Sequence, residues 1–162
     1  MKYSVLILSF CALPALADVN IVGNVAAKCI IQTDTGGIYG NPTATKLSTL
    51  PADGGVVPIV RYDVAVANYY TAKITHPSAF SSSPSLSDTV AWTGASSVAQ
   101  TSVAGMAAYD AAKVVYGSTT SFNLTIAGST WFKTASTATY GVSKAFPGGS
   151  YTAIVQAECI AN

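Results

Sequence analysis

Residues 147–162 read PGGSYTAIVQAECIAN, the clearest structural signal in the chain. Pro147-Gly148-Gly149 is a turn. Beyond it Tyr151, Ala153, Val155, Ala157, Cys159 and Ala161 share one parity, with Thr152, Gln156 and Glu158 opposite. Ile154 and Ile160 are apolar exceptions on the outer side. Period-two alternation of this kind is the pattern of a strand with one buried face.

The opposite end of the chain alternates in the same way. Between Asp18 and Gln32, one parity holds Val19, Ile21, Gly23, Val25, Ala27, Cys29 and Ile31, and the other holds Asn20, Asn24, Lys28 and Gln32. The run is long for one strand. It either bends near Gly23 or makes two separate pairings. Gly23 also leaves room for the close approach of a backbone or a bulky side chain.

Before this run stands MKYSVLILSFCALPALA, residues 1–17. A basic Lys2, a short apolar core from Val5 to Cys11 and the small-x-small triplet Ala15-Leu16-Ala17 form the layout of a secretory signal peptide. The apolar run is too short to remain as a membrane-spanning helix, so no transmembrane span is expected after cleavage. Removal of residues 1–17 leaves residues 18–162, a single domain long enough to bury a core. Lys2 and Cys11 leave with the leader. Seven basic and seven acidic residues then remain, and the formal net charge falls from +1 to zero.

Cys29 and Cys159 are the only cysteines of the expected mature chain. In an exported protein an even pair reads as one disulfide. Closing so long a loop contributes about 5 kcal/mol in the chain-entropy model. Both cysteines have inward parity, so the two terminal strands must be neighbours, side by side or facing across the core.

Between these ends the chain reads as short strands separated by turns. Asn41-Pro42 and Pro51-Ala52-Asp53-Gly54-Gly55 are turn signals. Val56–Val60 contains Pro58, which favours an edge or irregular position. Arg61–Thr75 is a strand region that Asn68 interrupts, and His76-Pro77 ends it. Ser78–Ser87 reads as a loop, Thr89–Thr93 as a short strand, and Gly94–Gly105 has little pattern. Gly105–Tyr116 leaves a short helix and a strand both open. Ser121–Ala127 alternates through Phe122, Leu124 and Ile126. Ala127-Gly128-Ser129 reads as a turn into Thr130-Trp131-Phe132, and Ala138–Ser143 as a weaker strand. The whole describes an all-β, antiparallel sandwich.

Catalytic and cofactor signatures are missing. No nucleophile elbow, zinc-protease helix, phosphate loop or calcium loop occurs. His76 is the only histidine and stands at a turn beside a proline. The expected catalytic, cofactor-binding and metal sets are therefore empty, and an enzyme is not expected. No run of Lys or Arg could track a phosphate backbone, which argues against nucleic acid. Few charges suit a subunit that packs against copies of itself. The tyrosines serve either sheet packing or a contact surface. Tyr62 and Tyr151 read as core, and one ring of Tyr69-Tyr70 should face outward.

The segment VNIVGNVAAKCIIQTDTGGIYG (19–40), together with PGGSYTAIVQAECIAN, resembles subunits of bacterial chaperone–usher pili and the related spore-coat-U-like secreted proteins. The likeness covers the two chain ends. It implies an immunoglobulin-like sandwich that is incomplete and is completed by strand donation. Residues 18–26 would be the donor strand, with Val19, Ile21, Gly23 and Val25 entering the groove of the next subunit. Tyr151, Ala153, Val155 and Ala157 would line the acceptor edge. The implied partners are copies of itself in a filament, a periplasmic chaperone and an outer-membrane usher. The implied route runs through the periplasm to a fimbrium on the cell surface, with a role in cell adhesion. A monomeric secreted β-sandwich that acts as a binding or coat protein is the alternative.

Overall fold

A computed structural model of the chain describes residues 28–141 and 144–162. The leader, the donor positions Val19, Ile21, Gly23 and Val25, and Val142-Ser143 lie outside the described residues.

The period-two stretches become ten strands among the described residues: β1 (Cys29–Thr35), β2 (Gly40–Thr43), β3 (Lys46–Ser48), β4 (Ile59–Val64), β5 (Tyr70–Thr75), β6 (Val90–Thr101), β7 (Val114–Tyr116), β8 (Thr119–Leu124), β9 (Gly128–Tyr140) and β10 (Gln156–Ala161). All pairings are antiparallel. They form two sheets, so the protein is an all-β sandwich.

The first sheet is organised on β9. One edge of β9 pairs with β6 from Val90↔Tyr140 to Thr101↔Thr130. Its other edge pairs with β4 in its first half and with β3 near its end. β1 lies outside β4, and β2 outside β3. The second sheet runs β10-β5-β8-β7. Its last hairpin turns at Gly117, whose φ of 58° is the positive value that a tight hairpin turn needs at its first position.

Two sequence expectations need correction. Thr130-Trp131-Phe132 and Ala138–Tyr140, expected as separate strands, belong to one continuous strand, β9, which starts at Gly128 directly after the bend at Ile126-Ala127. Gly94–Thr101, which has little pattern, is most of β6. Between the inward positions Gly94 and Val98, Ser96 is buried against Thr134, with their oxygens 3.0 Å apart. A buried hydroxyl with a cross-strand partner fits an interior without apolar contrast in the sequence. Pro58 takes the irregular one of the two positions expected for it, outside any strand. It precedes β4, an internal strand, and its carbonyl accepts from the Thr134 amide at 3.1 Å. The two readings left open at Gly105–Tyr116 are both realised, as a short helix α1 (Tyr109–Ala112) followed by β7.

The core lies between β4 and β9 on one side and β5 and β8 on the other. Tyr62, Phe122 and Phe132 are fully buried. Phe132 stands 4.3 Å from Phe122 and 5.5 Å from Tyr62 between ring centroids, and it meets Tyr62 edge-on. Tyr70 points inward and Tyr69 outward, as strand alternation requires. The Tyr62 hydroxyl reaches across the sandwich, 3.2 Å from the Lys73 carbonyl on β5 and 3.1 Å from the Glu158 carbonyl on β10.

Burial pushes the Tyr62 phenol above its ordinary value of 10.0. A raised folded-state value means that the unfolded chain loses this proton first. The contribution of Tyr62 is therefore complete below pH about 10 and declines as pH rises further. Tyr62→Phe should cost about 1 kcal/mol at neutral pH by removing the hydrogen bond. The gap in thermal midpoint between the two proteins should narrow above pH about 10, because the variant lacks the titrating group. Calorimetry from neutral to alkaline pH checks this, and a constant gap would contradict the assigned burial.

Candidate functional site

The two sides of the sandwich are finished differently. Where β6 stands over β7, the connection between them folds back as a cover. A 3₁₀ segment, Ala104–Ala108, leads into α1 and buries Met106 and Tyr109 against the core. Asp110 accepts from the Val98 amide at 3.1 Å, and Lys113 donates to the Ser96 carbonyl at 3.0 Å. The Tyr109 hydroxyl accepts from the Ile126 amide at 3.0 Å. That seam is closed by side chains and satisfied polar groups.

The opposite seam runs between β1 and β10. Each terminates its sheet, and among the described residues neither has a backbone partner on its outer edge. Cys29 and Cys159 join them across the core with Cα atoms 6.4 Å apart. The terminal strands thus face each other across the sandwich, one of the two arrangements left open by the sequence. Core residues along this side are only half-buried. Cys29 and Ile31 on β1, and Val155, Ala157 and Cys159 at the C-terminal end, pack against the core without being enclosed. Buried apolar side chains of a sandwich are normally covered on every side.

Beyond the disulfide the seam widens into a groove. One part, about 280 Å³, lies between Thr33, Thr35 and Tyr39 on one wall and Ala153–Val155 on the other. It continues past Gly37 and Tyr39 into a second part of about 450 Å³ bounded by Ile38, Leu47 and Gly149–Ala153. Of the sequence-assigned edge residues, Tyr151, Ala153 and Val155 line this groove, and Ala157 lies outside its lining. Tyr151, Ala153, Val155 and Ala157 are all half-buried on one face, and Thr152, Ile154, Gln156 and Glu158 are exposed on the other. Only Gln156–Ala161 joins the β5 ladder. Upstream, Thr152 makes an isolated bridge with Ser82, so the expected single strand from Tyr151 is interrupted. Ile154 remains 63% exposed at the groove mouth.

The far end of the groove is built from aromatic rings. Phe80 lies 5.0 Å from Tyr151, 4.7 Å from Trp92 and 6.4 Å from Tyr39, all edge-on. Tyr151 donates to the Pro147 carbonyl at 2.6 Å. Gly149 allows this turn: its φ is 148°, and an added Cβ would lie 2.5 Å from Pro84. Tyr39 stands between the two parts with its hydroxyl 3.2 Å from Ser136 Oγ, and burial raises its phenol value. Thr33, Gly37 and Tyr39 form the wall that sequence reasoning did not connect to the C-terminal segment. Alternation reveals which face a residue occupies, but not which distant segment stands opposite.

Neither tryptophan is an open platform. Trp92 packs on Phe80. The Trp131 indole donates to Asp34 at 3.1 Å, and Arg61 lies 5.4 Å over its ring. Arg61 also grips Asp63 with three hydrogen bonds and so lowers the Asp63 carboxyl value. His76 follows β5, with Nδ1 3.1 Å from the Pro77 carbonyl, and its ring lies over Gly94. No three metal-ligating side chains converge among the described residues. No helix among them is long and apolar enough to cross a membrane. Comparisons with protein-family models, curated proteins and solved structures return no match for this chain.

With no described segment covering this seam, the disulfide should carry much of its cohesion. Replacing both Cys29 and Cys159 by Ser should cost about 2–5 kcal/mol in urea unfolding. The loss should be local as well as global. Amide exchange should rise at Ile31 and Ala157 and stay slow in the β6–β9 ladder. Equal acceleration in both places would show that the bridge does not act on the seam.

Proposed function

We propose that this chain is a structural subunit of an extracellular pilus or surface filament, exported through the periplasm and joined to its neighbours by strand donation. The observation that carries this reading is the open β1/β10 seam. One side of the core is sealed by Met106 and Tyr109. The other presents half-buried apolar residues between two strand edges that have no partner among the described residues. On this reading the sandwich is immunoglobulin-like and lacks its final strand.

An extended segment with alternating side chains fits such a groove. Its main chain would extend the β10 or β1 ladder, and its inward side chains would cover Ile31, Val155 and Ala157. Residues 18–26 have that alternation, with Val19, Ile21 and Val25 as the inserted residues and Gly23 where the passage narrows. Residues 18–26 end close in sequence to Cys29, at the start of β1. They would extend from one subunit into the groove of the next. Donor and acceptor surfaces differ, so the contact is heterologous and propagates into a filament. Before assembly, a periplasmic chaperone would occupy the same groove, and an outer-membrane usher would oversee the exchange. The free edges explain why such protection is needed, since an uncovered strand edge is a template for unwanted pairing.

Deleting residues 18–26 should leave a subunit that folds yet does not polymerise. A synthetic peptide of residues 18–26, added to that variant, should slow amide exchange at Ile31 and Val155. Ala157→Arg, which blocks the acceptor side, should abolish the peptide effect. A full-length monomer whose residues 19–25 are strongly protected by pairing within their own chain would rule out donation. It would favour the self-contained secreted or coat protein.

A further inference from the structure

The outer face of the first sheet carries a second groove, on the side away from the core. Its floor is one row of cross-strand neighbours. Thr35 pairs with Ile59, Ile59 with Lys133, and Lys133 with Ser97. The next outward pair is Ala95 with Ala135, and these small side chains keep the floor low. The wall is the loop from Leu50 to Val57. It is held by the Gly55 amide donating to the Leu50 carbonyl at 3.0 Å and by the two-way Ile38–Val56 bridge at 3.0 and 2.9 Å. Leu50 and Val56 are left 39% and 37% exposed. The space enclosed is about 580 Å³, a volume typical of sites for small molecules.

Lys133 is the only charged residue in the lining. The ion pairs among the described residues engage Lys46, Arg61, Lys113 and Lys144, and none engages Lys133. An ammonium without an acidic partner among the described residues thus rises from a floor of methyl, methylene and hydroxyl groups. That combination selects a ligand by two features at once. An apolar body gains by leaving water along Ala95, Ala135 and Val57. A single negative charge gains a charge-assisted hydrogen bond to Nζ. Inorganic anions lack the first feature, and neutral or cationic chains lack the second.

We propose that this groove binds a free anionic amphiphile, a monocarboxylate with a hydrocarbon chain, whose carboxylate sits on Lys133. The site is separate from the strand-exchange seam. Of its lining only Thr35 also borders the seam groove. The proposal therefore stands whether or not the protein forms filaments.

The test is an amide chemical-shift titration of the disulfide-bonded protein with decanoate, kept below its micelle-forming range. Saturable shifts should centre on Ala95, Ser97, Lys133 and Ala135. Lys133→Gln should weaken binding by about threefold or more, the scale of one partly exposed ion pair. Ala135→Phe should fill the floor and abolish binding. Decanol and decyltrimethylammonium should bind more weakly than decanoate. Lys133→Gln alters only a side chain at the surface, so it keeps the test decisive if Ala135→Phe does not fold. Shifts centred on Val155 and Ala157, an unchanged Lys133→Gln affinity, equal binding of decanol, or no saturation would each overturn the proposal. Dilution-dependent shifts at the same residues without ligand would assign the groove to a second copy and overturn it too.

Discussion

The bridge between Cys29 and Cys159 is the constraint on which the rest of this sandwich depends. Two sheets stacked face to face need cohesion at both seams. On the β6/β7 side the connection through Met106 and Tyr109 supplies it by packing. On the β1/β10 side no described segment fills that place, and a covalent link spanning 130 residues of sequence holds the edges in register. The Tyr62 hydroxyl supports it from within by reaching carbonyls on β5 and β10. A disulfide can do this without occupying the groove. Among the described residues the seam stays open along its length while its width is set at one point.

The interior has two zones. Near Tyr62, Phe122 and Phe132 it is aromatic. Farther along β9 it is lined by hydroxyls, with Ser96 on Thr134 and Thr49 on the Ser136 backbone. Each of these polar groups has a cross-strand partner, which avoids the penalty of burying it alone. The consequence for function is positional. The hydroxyl zone lies behind the groove at Tyr39 and Ser136, where an enclosed hydrocarbon core would otherwise close the wall. The fold therefore presents a groove with Thr33 and Thr35 of β1 on one wall and the apolar Ala153 and Val155 of the C-terminal segment on the other.

Strands with an apolar face are legible in the residue pattern. The alternation at 151–161, the interruption at Asn68 and the outward turn of one ring at Tyr69-Tyr70 follow from parity alone. Asn68 is the single non-glycine residue with positive φ among those described. β6 and the joining of β9 are not legible in this way. Between Trp92 and Val98 on β6, and between Phe132 and Tyr140 on β9, the inward positions hold only Gly, Ser, Thr and Ala, so no contrast in hydropathy marks a face there. The hydrogen-bond ladder, not burial of hydrocarbon, defines those strands.

By itself the chain's sequence determined an antiparallel β architecture and a cysteine pair that had to bring the two ends together. These follow from local pattern and counting. Only the tertiary structure decided that the ends face each other across the core, that one seam is sealed and the other open, and that Thr33, Gly37 and Tyr39 stand opposite Ala153 and Val155. It also decided that Lys133, with no acidic partner among the described residues, stands beside residues of three other strands and a loop. The physical reason is the same in each case. Side-chain alternation specifies a face, whereas a groove needs two faces, and the second comes from residues far away in sequence.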